Sequence, residues 1–250
     1  MKGYAEDLAH IHASGFTALA ETAAPAIVEV LRGAGIESGL VVDLGCGSGI
    51  TSRALVVAGY DVLGIDSSRP FLARARRNAP DARFRHGSFL EERLPECGAV
   101  LAVGEVLNYT TRSLRPLFGR VQRALRPGGL FVLDLAGPGR VPRTGPVRNW
   151  WEGEDWAILV ETEEDPRRLL LTRRMITFRR TDRGWRRGGE THRQRLHRPS
   201  EIGADLRGAG FRVRVRRGYA GERFAPGHYV VVARKPPSAS ASPRRGTGAD

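Results

Sequence analysis

Residues 41–49 read Val-Val-Asp-Leu-Gly-Cys-Gly-Ser-Gly, an apolar run that passes an acid and then enters three glycines at alternate positions. Glycines at that spacing allow a tight turn and let a ligand approach the backbone closely. A helix starting just beyond the turn offers unpaired N–H groups. Asp43 stands two residues before Gly45, the first of the three, which continue as Gly47 and Gly49 around Cys46. A second acid, Asp66, closes the run Gly-Ile-Asp-Ser-Ser, and a carboxylate at the end of a second strand can accept hydrogen bonds from both ribose hydroxyls of a nucleoside. The interval between loop and acid is about the ~20 residues that one helix and one strand occupy. A dinucleotide site would share this layout, but its fingerprint is G-x-G-x-x-G and serves a pyrophosphate. Here the glycines read G-x-G-x-G, and Asp43 would repel a pyrophosphate while suiting a ligand with an ammonium group. Proton-transfer candidates are His12, Glu105 and His197.

These residues need a scaffold, and the hydrophobic pattern supplies one. Residues 5–34 have helical periodicity, with Gly15 and Pro25 expected to divide it into two or three pieces. Apolar runs at 40–45, 60–66, 82–87, 98–105 and 130–136 then alternate with helical segments at 50–58, 69–78 and 111–125, the last ended by Pro127-Gly128-Gly129. Such alternation predicts βαβ units and a parallel sheet covered on both faces. From 137 the texture changes. A Gly/Pro loop leads into 156–163, 168–180 and 185–197, which alternate apolar with charged residues as an antiparallel meander does. A helix at 199–210, with Ser200 as its expected cap, precedes strands 211–217 and 228–234, close enough to pair antiparallel. The tail from Pro236 has the composition of a disordered segment.

With the elements in place, Asp43-Leu-Gly-Cys-Gly-Ser-Gly49 resembles the first motif of class I S-adenosylmethionine-dependent methyltransferases, small-molecule type. Gly64-Ile-Asp-Ser-Ser resembles the second motif. His86-Gly-Ser-Phe89 occupies the adenine-side position, Gly104-Glu-Val-Leu-Asn-Tyr109 the end of strand four, and residues 125–135 the following turn and fifth strand. The likeness is specific over 38–136 and looser over 198–235. It implies an α/β fold: a Rossmann-like, doubly wound, seven-stranded sheet with a C-terminal antiparallel hairpin. A helical cap at 1–37 and an inserted lid or substrate region at 137–197 complete it, with the tail at 236–250 outside. It also implies S-adenosyl-L-methionine as cofactor and methyl transfer to oxygen or nitrogen of a small metabolite. By position, Gly45, Cys46, Gly47 and Gly49 pass under the cofactor and Asp43 faces its amino-acid end. Asp66 holds the ribose with Ser67 beside the adenine. Ser88 and Phe89 contact the ring, Gly104 and Glu105 line the transfer cleft, and Tyr4 or His12 covers the cofactor. The family often has an acid where Ser88 stands, so the contact to the adenine amino group departs from the pattern.

Composition bounds the alternatives. Of 250 residues 41% are hydrophobic, enough for a sizeable core, and no apolar run approaches the roughly 18 residues of a membrane helix. The N-terminus lacks a signal-peptide pattern and the two cysteines, Cys46 and Cys97, are too few for a disulfide scaffold, which together favour the cytoplasm. No Cys/His cluster has zinc spacing. The formal net charge is +13, carried almost wholly by arginine, with Lys2 and Lys235 the only lysines. A basic balance admits a nucleic-acid substrate, which steep salt dependence of binding would reveal. Yet the Asn/Asp-Pro-Pro-aromatic motif of amino-directed nucleic-acid enzymes is absent where Gly-Glu-Val-Leu-Asn-Tyr stands, and Cys97 precedes strand four rather than following it. A small-molecule enzyme, monomeric or homodimeric, is therefore the leading expectation. A nucleic-acid methyltransferase and a non-catalytic adenosyl-binding protein are the alternatives, with Trp150, Trp151 and Trp156 available to wall an aromatic pocket.

Overall fold

A computed structural model describes residues 5–142, 144–219 and 224–237. Tyr4 and the tail from 238 onward therefore lie outside the described residues. Two helices, α1 (Glu6–Gly15) and α2 (Ala18–Arg32), open the chain. The main sheet follows in alternation: β1 (Gly39–Leu44), α3 (Ile50–Val57), β2 (Tyr60–Asp66), α4 (Arg69–Asn78), β3 (Arg83–His86), β4 (Cys97–Ala102), α5 (Arg115–Ala124) and β5 (Leu125–Ala136). Four strands then form a separate sheet: β6 (Val147–Gly153), β7 (Trp156–Asp165), β8 (Leu170–Thr181) and β9 (Gly184–Arg195). The chain returns through α6 (Pro199–Gly208) to β10 (Arg212–Arg216) and β11 (His228–Arg234).

The seven-stranded sheet runs β10-β11-β5-β4-β1-β2-β3. Strands β1 to β5 are parallel, and β11 lies antiparallel to both β5 and β10, so the expected doubly wound sheet and terminal hairpin are present. One face is covered by α2 and α3, whose Ile27, Leu31 and Leu55 pack on Val41, Val62 and Leu101. The other carries α5 and α6, with Phe118, Leu117 and Leu206 against Val42, Val100 and Phe131. Strands covered on both faces read as nearly continuous apolar runs, which is why they were legible as sequence. The chain steps outward from β1 to β3 and then crosses back to place β4 on the other side of β1. Helices leaving β1 and β4 diverge at that point, opening a crevice at the carboxyl ends of the strands.

Three local expectations change. Pro25 does not divide α2, whose Ala23, Ala24, Ile27 and Leu31 are held in the core on either side of it. The Pro127-Gly128-Gly129 turn does not terminate α5; the helix ends at Ala124 and β5 begins at Leu125, carrying the turn as an irregularity in its register with β4. Ser200 lies inside α6, and the cap position is Arg198, which makes no side-chain cap bond. Residues 147–153, to which the sequence pattern assigns no element, form edge strand β6.

The second sheet is antiparallel, in the order β6-β7-β8-β9. Helix α1 docks on it through Leu8 and Ile11, which pack with Trp156, Ile158 and Met175. An ion pair from Arg186 to Asp7 ties the same two elements at the surface. No helix among the described residues is long and apolar enough to cross a membrane.

Candidate functional site

A cavity of about 640 Å³ sits over the carboxyl ends of β1, β2 and β4, within the roughly 300–1,000 Å³ range of small-molecule sites. Its floor is the glycine loop, its sides are the ends of β2 and β4, and its cover is α1 together with β8 and β9. The loop geometry explains its residue types. Gly45 has φ +67° and lies so close to Val106 that an added Cβ would stand 2.5 Å from that side chain. A Cβ added to Gly49, at φ +80°, would stand 3.0 Å from the backbone of Ala75 in α4. Both positions therefore exclude a side chain by close approach. Gly47 differs: the space where its Cβ would be is open, and it borders the cavity.

The two acids flank this floor. The Asp66 carboxylate accepts from Gly47 N–H at 3.0 Å and from Ser68 N–H at 2.7 Å, and burial pushes its pKa up despite those bonds. Asp66 does not cap α4; Ser68 does, accepting from Phe71 N–H at 3.4 Å. Asp43 is buried, accepts from Ser52 Oγ at 2.7 Å, and is pushed up to about 7, mainly by burial, with the nearby Asp66 charge adding to the rise. Ser67, Ser88 and Phe89 border the same end, where Ser88 Oγ accepts from Leu90 N–H at 3.2 Å.

At the far side, Gly104 and Glu105 follow β4, both with positive φ (93° and 58°). A left-handed non-glycine costs about 1–2 kcal/mol, so surrounding bonds must hold it. Asp134, fully buried at the end of β5, provides them. It accepts from Gly104 N–H at 2.9 Å, Glu105 N–H at 2.6 Å and Tyr219 Oη at 2.9 Å, with His228 Nε2 at 3.3 Å. Glu105 then points into the cavity region, where Arg140 binds it at 2.7 Å and Arg173 of β8 at 3.4 Å, with Gln194 of β9 donating at 3.3 Å. One carboxylate thus joins the main sheet to the small one. Asn108, in the 3-10 turn Val106–Tyr109, makes a second joint: its amide donates to Ala136 O at 2.8 Å and Arg195 O at 2.6 Å and accepts from Ala136 N–H at 3.0 Å.

The structure brings together Asp43, Gly45, Cys46, Gly47, Asp66, Ser67, Ser88, Phe89, Gly104, Glu105 and His12 around one cavity. Gly49 is beneath the loop rather than at the cavity wall, and Tyr4 is not described. His197 is separate. It is buried outside the cavity lining, with its N–H on Ala136 O at 3.0 Å and its carbonyl accepting from Tyr229 Oη. Its Nε2 has no hydrogen-bond partner among the described residues, and burial pushes its pKa down to about 4. His12, at the wall, is also pushed down to about 4, chiefly by burial. The tryptophans do not wall the cavity. Trp156 packs under α1, Trp151 is edge-on to Phe16 at 5.3 Å, and Trp150 is exposed.

Sequence reasoning missed Asp134, Arg140, Arg173 and Gln194. Asp134 had a signal, since a lone acid inside the apolar run Leu130–Ala136 must find donors if buried. The others are ordinary polar positions until the small sheet is placed.

Comparison with known proteins bears on this geometry. A family model described as a methyltransferase domain matches residues 41–129. An uncharacterized methyltransferase of Synechocystis is 37% identical over 103 residues, 39% of this chain; the match spans about half, 48%, of that relative's length. Two solved structures share the fold. One is an S-adenosylmethionine-dependent methyltransferase of Clostridium acetobutylicum (TM-score 0.79, 17% identity, 91% of this chain and 97% of that one). The other is an S-adenosylmethionine-bound amino pentose methyltransferase of Micromonospora echinaspora (TM-score 0.75, 17% identity, 94% and 99%).

Proposed function

We propose that this chain, whose residues 41–129 match a methyltransferase-domain model, is a class I methyltransferase that moves the methyl group of S-adenosylmethionine to nitrogen or oxygen of a small molecule. The observation that carries this reading is the open floor at Gly47 beside the Asp66 carboxylate, in a cavity large enough for a nucleoside ligand and an acceptor. The residues fit the cofactor. Asp66 can receive the ribose hydroxyls, Gly47 leaves the backbone accessible, and the amino-acid end lies toward Asp43. Asp43, poised near neutrality by burial, gains a cation there that favours its ionised form.

When bound, the cofactor supplies an already activated methyl group, so the chain's work is alignment and exclusion of water. Residues 1–37 act as a cap, 38–136 with 198–235 as the binding core, and 137–197 as the lid. Glu105 anchors the lid through Arg140, Arg173 and Gln194 rather than standing free as a base. The cover formed by α1 and the small sheet favours a small acceptor over a nucleic acid, and the likeness to an amino pentose methyltransferase supports a nitrogen acceptor. The test is transfer of tritiated methyl from S-adenosylmethionine to a panel of amino sugars, phenols, carboxylic acids and RNA. Label in a small molecule is expected. Label in RNA alone, or no binding of S-adenosylhomocysteine, contradicts the reading.

A further inference from the structure

The cavity holds a set of groups that none of the binding roles above uses. Tyr109 sits at the end of the 3-10 turn that follows β4 and His192 on β9 of the small sheet, and both border the cavity. Their rings meet edge to face, centroids 5.5 Å apart, and Tyr109 Oη lies 3.4 Å from His192 Nδ1. On the other side of the imidazole, Nε2 is 3.0 Å from Glu190 Oε2. An ionised carboxylate only accepts, so in the neutral imidazole this contact puts the hydrogen on Nε2 and leaves Nδ1 as the accepting nitrogen. Glu190 is itself oriented by Ala5 N–H, which donates to Oε1 at 3.2 Å. Among the described residues, Arg173, its cross-strand partner on β8, and His12 of α1 also face His192.

We propose that Tyr109 and His192 form the proton-accepting pair of the acceptor site, with Glu190 as the positioning residue, and that the acceptor is an ammonium or hydroxyl group that must shed a proton. The inference rests on the methyl-transfer reading above. In the step, the acceptor's N–H or O–H bond breaks and its proton reaches Nδ1, directly or by exchange through the Tyr109 hydroxyl. The freed electron pair forms the bond to the methyl carbon, and the methyl–sulfur pair stays on sulfur, which becomes neutral. The proton leaves His192 to solvent after product release. A carboxylate acceptor is ionised near neutral pH and needs no such pair, so the relay specifies acceptor class as well as mechanism. A purely structural Tyr–His contact would fasten the lid and leave the pH dependence of turnover unchanged.

Two measurements on the full chain decide it. With 15N-histidine labelling and S-adenosylhomocysteine bound, the His192 resonance (assigned by its loss in His192→Gln) is expected to show the Nε2–H tautomer. Glu190→Gln is expected to weaken that preference. An Nδ1–H tautomer, or one indifferent to Glu190→Gln, overturns the relay. In methyl transfer to glucosamine, catechol and benzoate, His192→Gln is expected to lower kcat on the amine or hydroxyl acceptor by about 10²–10³-fold and remove the acid limb of its pH profile. KM and the S-adenosylhomocysteine Kd are expected to stay within about threefold in that variant. Retained kcat, an unchanged acid limb, or wild-type activity confined to benzoate overturns the proposal while leaving methyl transfer intact. Failure of the wild type to bind S-adenosylhomocysteine overturns the underlying reading instead.

Discussion

Asp66→Ala isolates the sugar-binding role of the acid at the tip of β2. Its carboxylate holds Gly47 N–H at 3.0 Å and Ser68 N–H at 2.7 Å, and it borders the cavity with lone-pair directions to spare for two ribose hydroxyls. Hydrogen bonds to a charged acceptor contribute about 1.5–3 kcal/mol each. Two of them give about 3–6 kcal/mol, and water entering the space left by the carboxylate recovers part of that, leaving about 3–4 kcal/mol. At about 1.4 kcal/mol per tenfold, the Kd for S-adenosylhomocysteine is expected to rise about 100- to 1,000-fold. The variant also strands two backbone donors, so a modest fall in Tm accompanies it; the titration is run well below the unfolding transition. His197→Ala is the control. Its side chain is buried away from the cavity, and calorimetry is expected to return a wild-type Kd. A change under threefold in Asp66→Ala, or equal losses in both variants, would refute the reasoning.

Other expectations follow from the same geometry. Asp43 is held up near 7, so affinity for S-adenosylhomocysteine is expected to strengthen as pH rises from 6 to about 7.5, because an ionised carboxylate is what pairs with the ligand's ammonium group. Calorimetry across that range should show the slope in wild type and a flat profile in Asp43→Asn. In the ligand-free protein the sign reverses: the raised carboxyl pKa makes stability fall as pH climbs from about 4 to about 7, a slope expected in the denaturant midpoints of wild type and missing this contribution in Asp43→Asn. Gly45→Ala combines a left-handed alanine with a Cβ 2.5 Å from Val106 and should cost about 2–4 kcal/mol, lowering Tm by about 5–15 °C. Adding Val106→Ala should relieve the collision but not the backbone strain. Asn108→Ala strands buried groups on β5 and β9 and should cost about 2–4 kcal/mol, with hydrogen exchange rising first at Ala136.

The glycine loop, Asp66 and the five parallel strands were legible because each is written in a short contiguous run. Apolar strands buried on both faces and a strand-to-helix turn leave local patterns. Strand β6 left none. It is an edge strand whose residues are mostly exposed, so Val147–Gly153 lacks the alternation that marked its neighbours. Helix α2 misled in the other direction, because burial on both sides of Pro25 outweighs the local break that proline suggests. The clamp on Glu105 could not be read at all. Arg140, Arg173 and Gln194 are 35, 68 and 89 residues away from it, and only the docking of the small sheet brings them together. His197 shows the converse. Its place at the junction between meander and α6 was read correctly, but its burial beside Tyr229 keeps it from the cavity.

The central claim meets its most direct test in a crystal structure of the chain with S-adenosylhomocysteine. The ligand is expected across the tips of β1 and β2, ribose hydroxyls within about 3 Å of the Asp66 carboxylate, its sulfur facing the chamber beneath β8 and β9. A ligand bound elsewhere, or one that leaves Asp66 paired only with Gly47 and Ser68, would contradict the account.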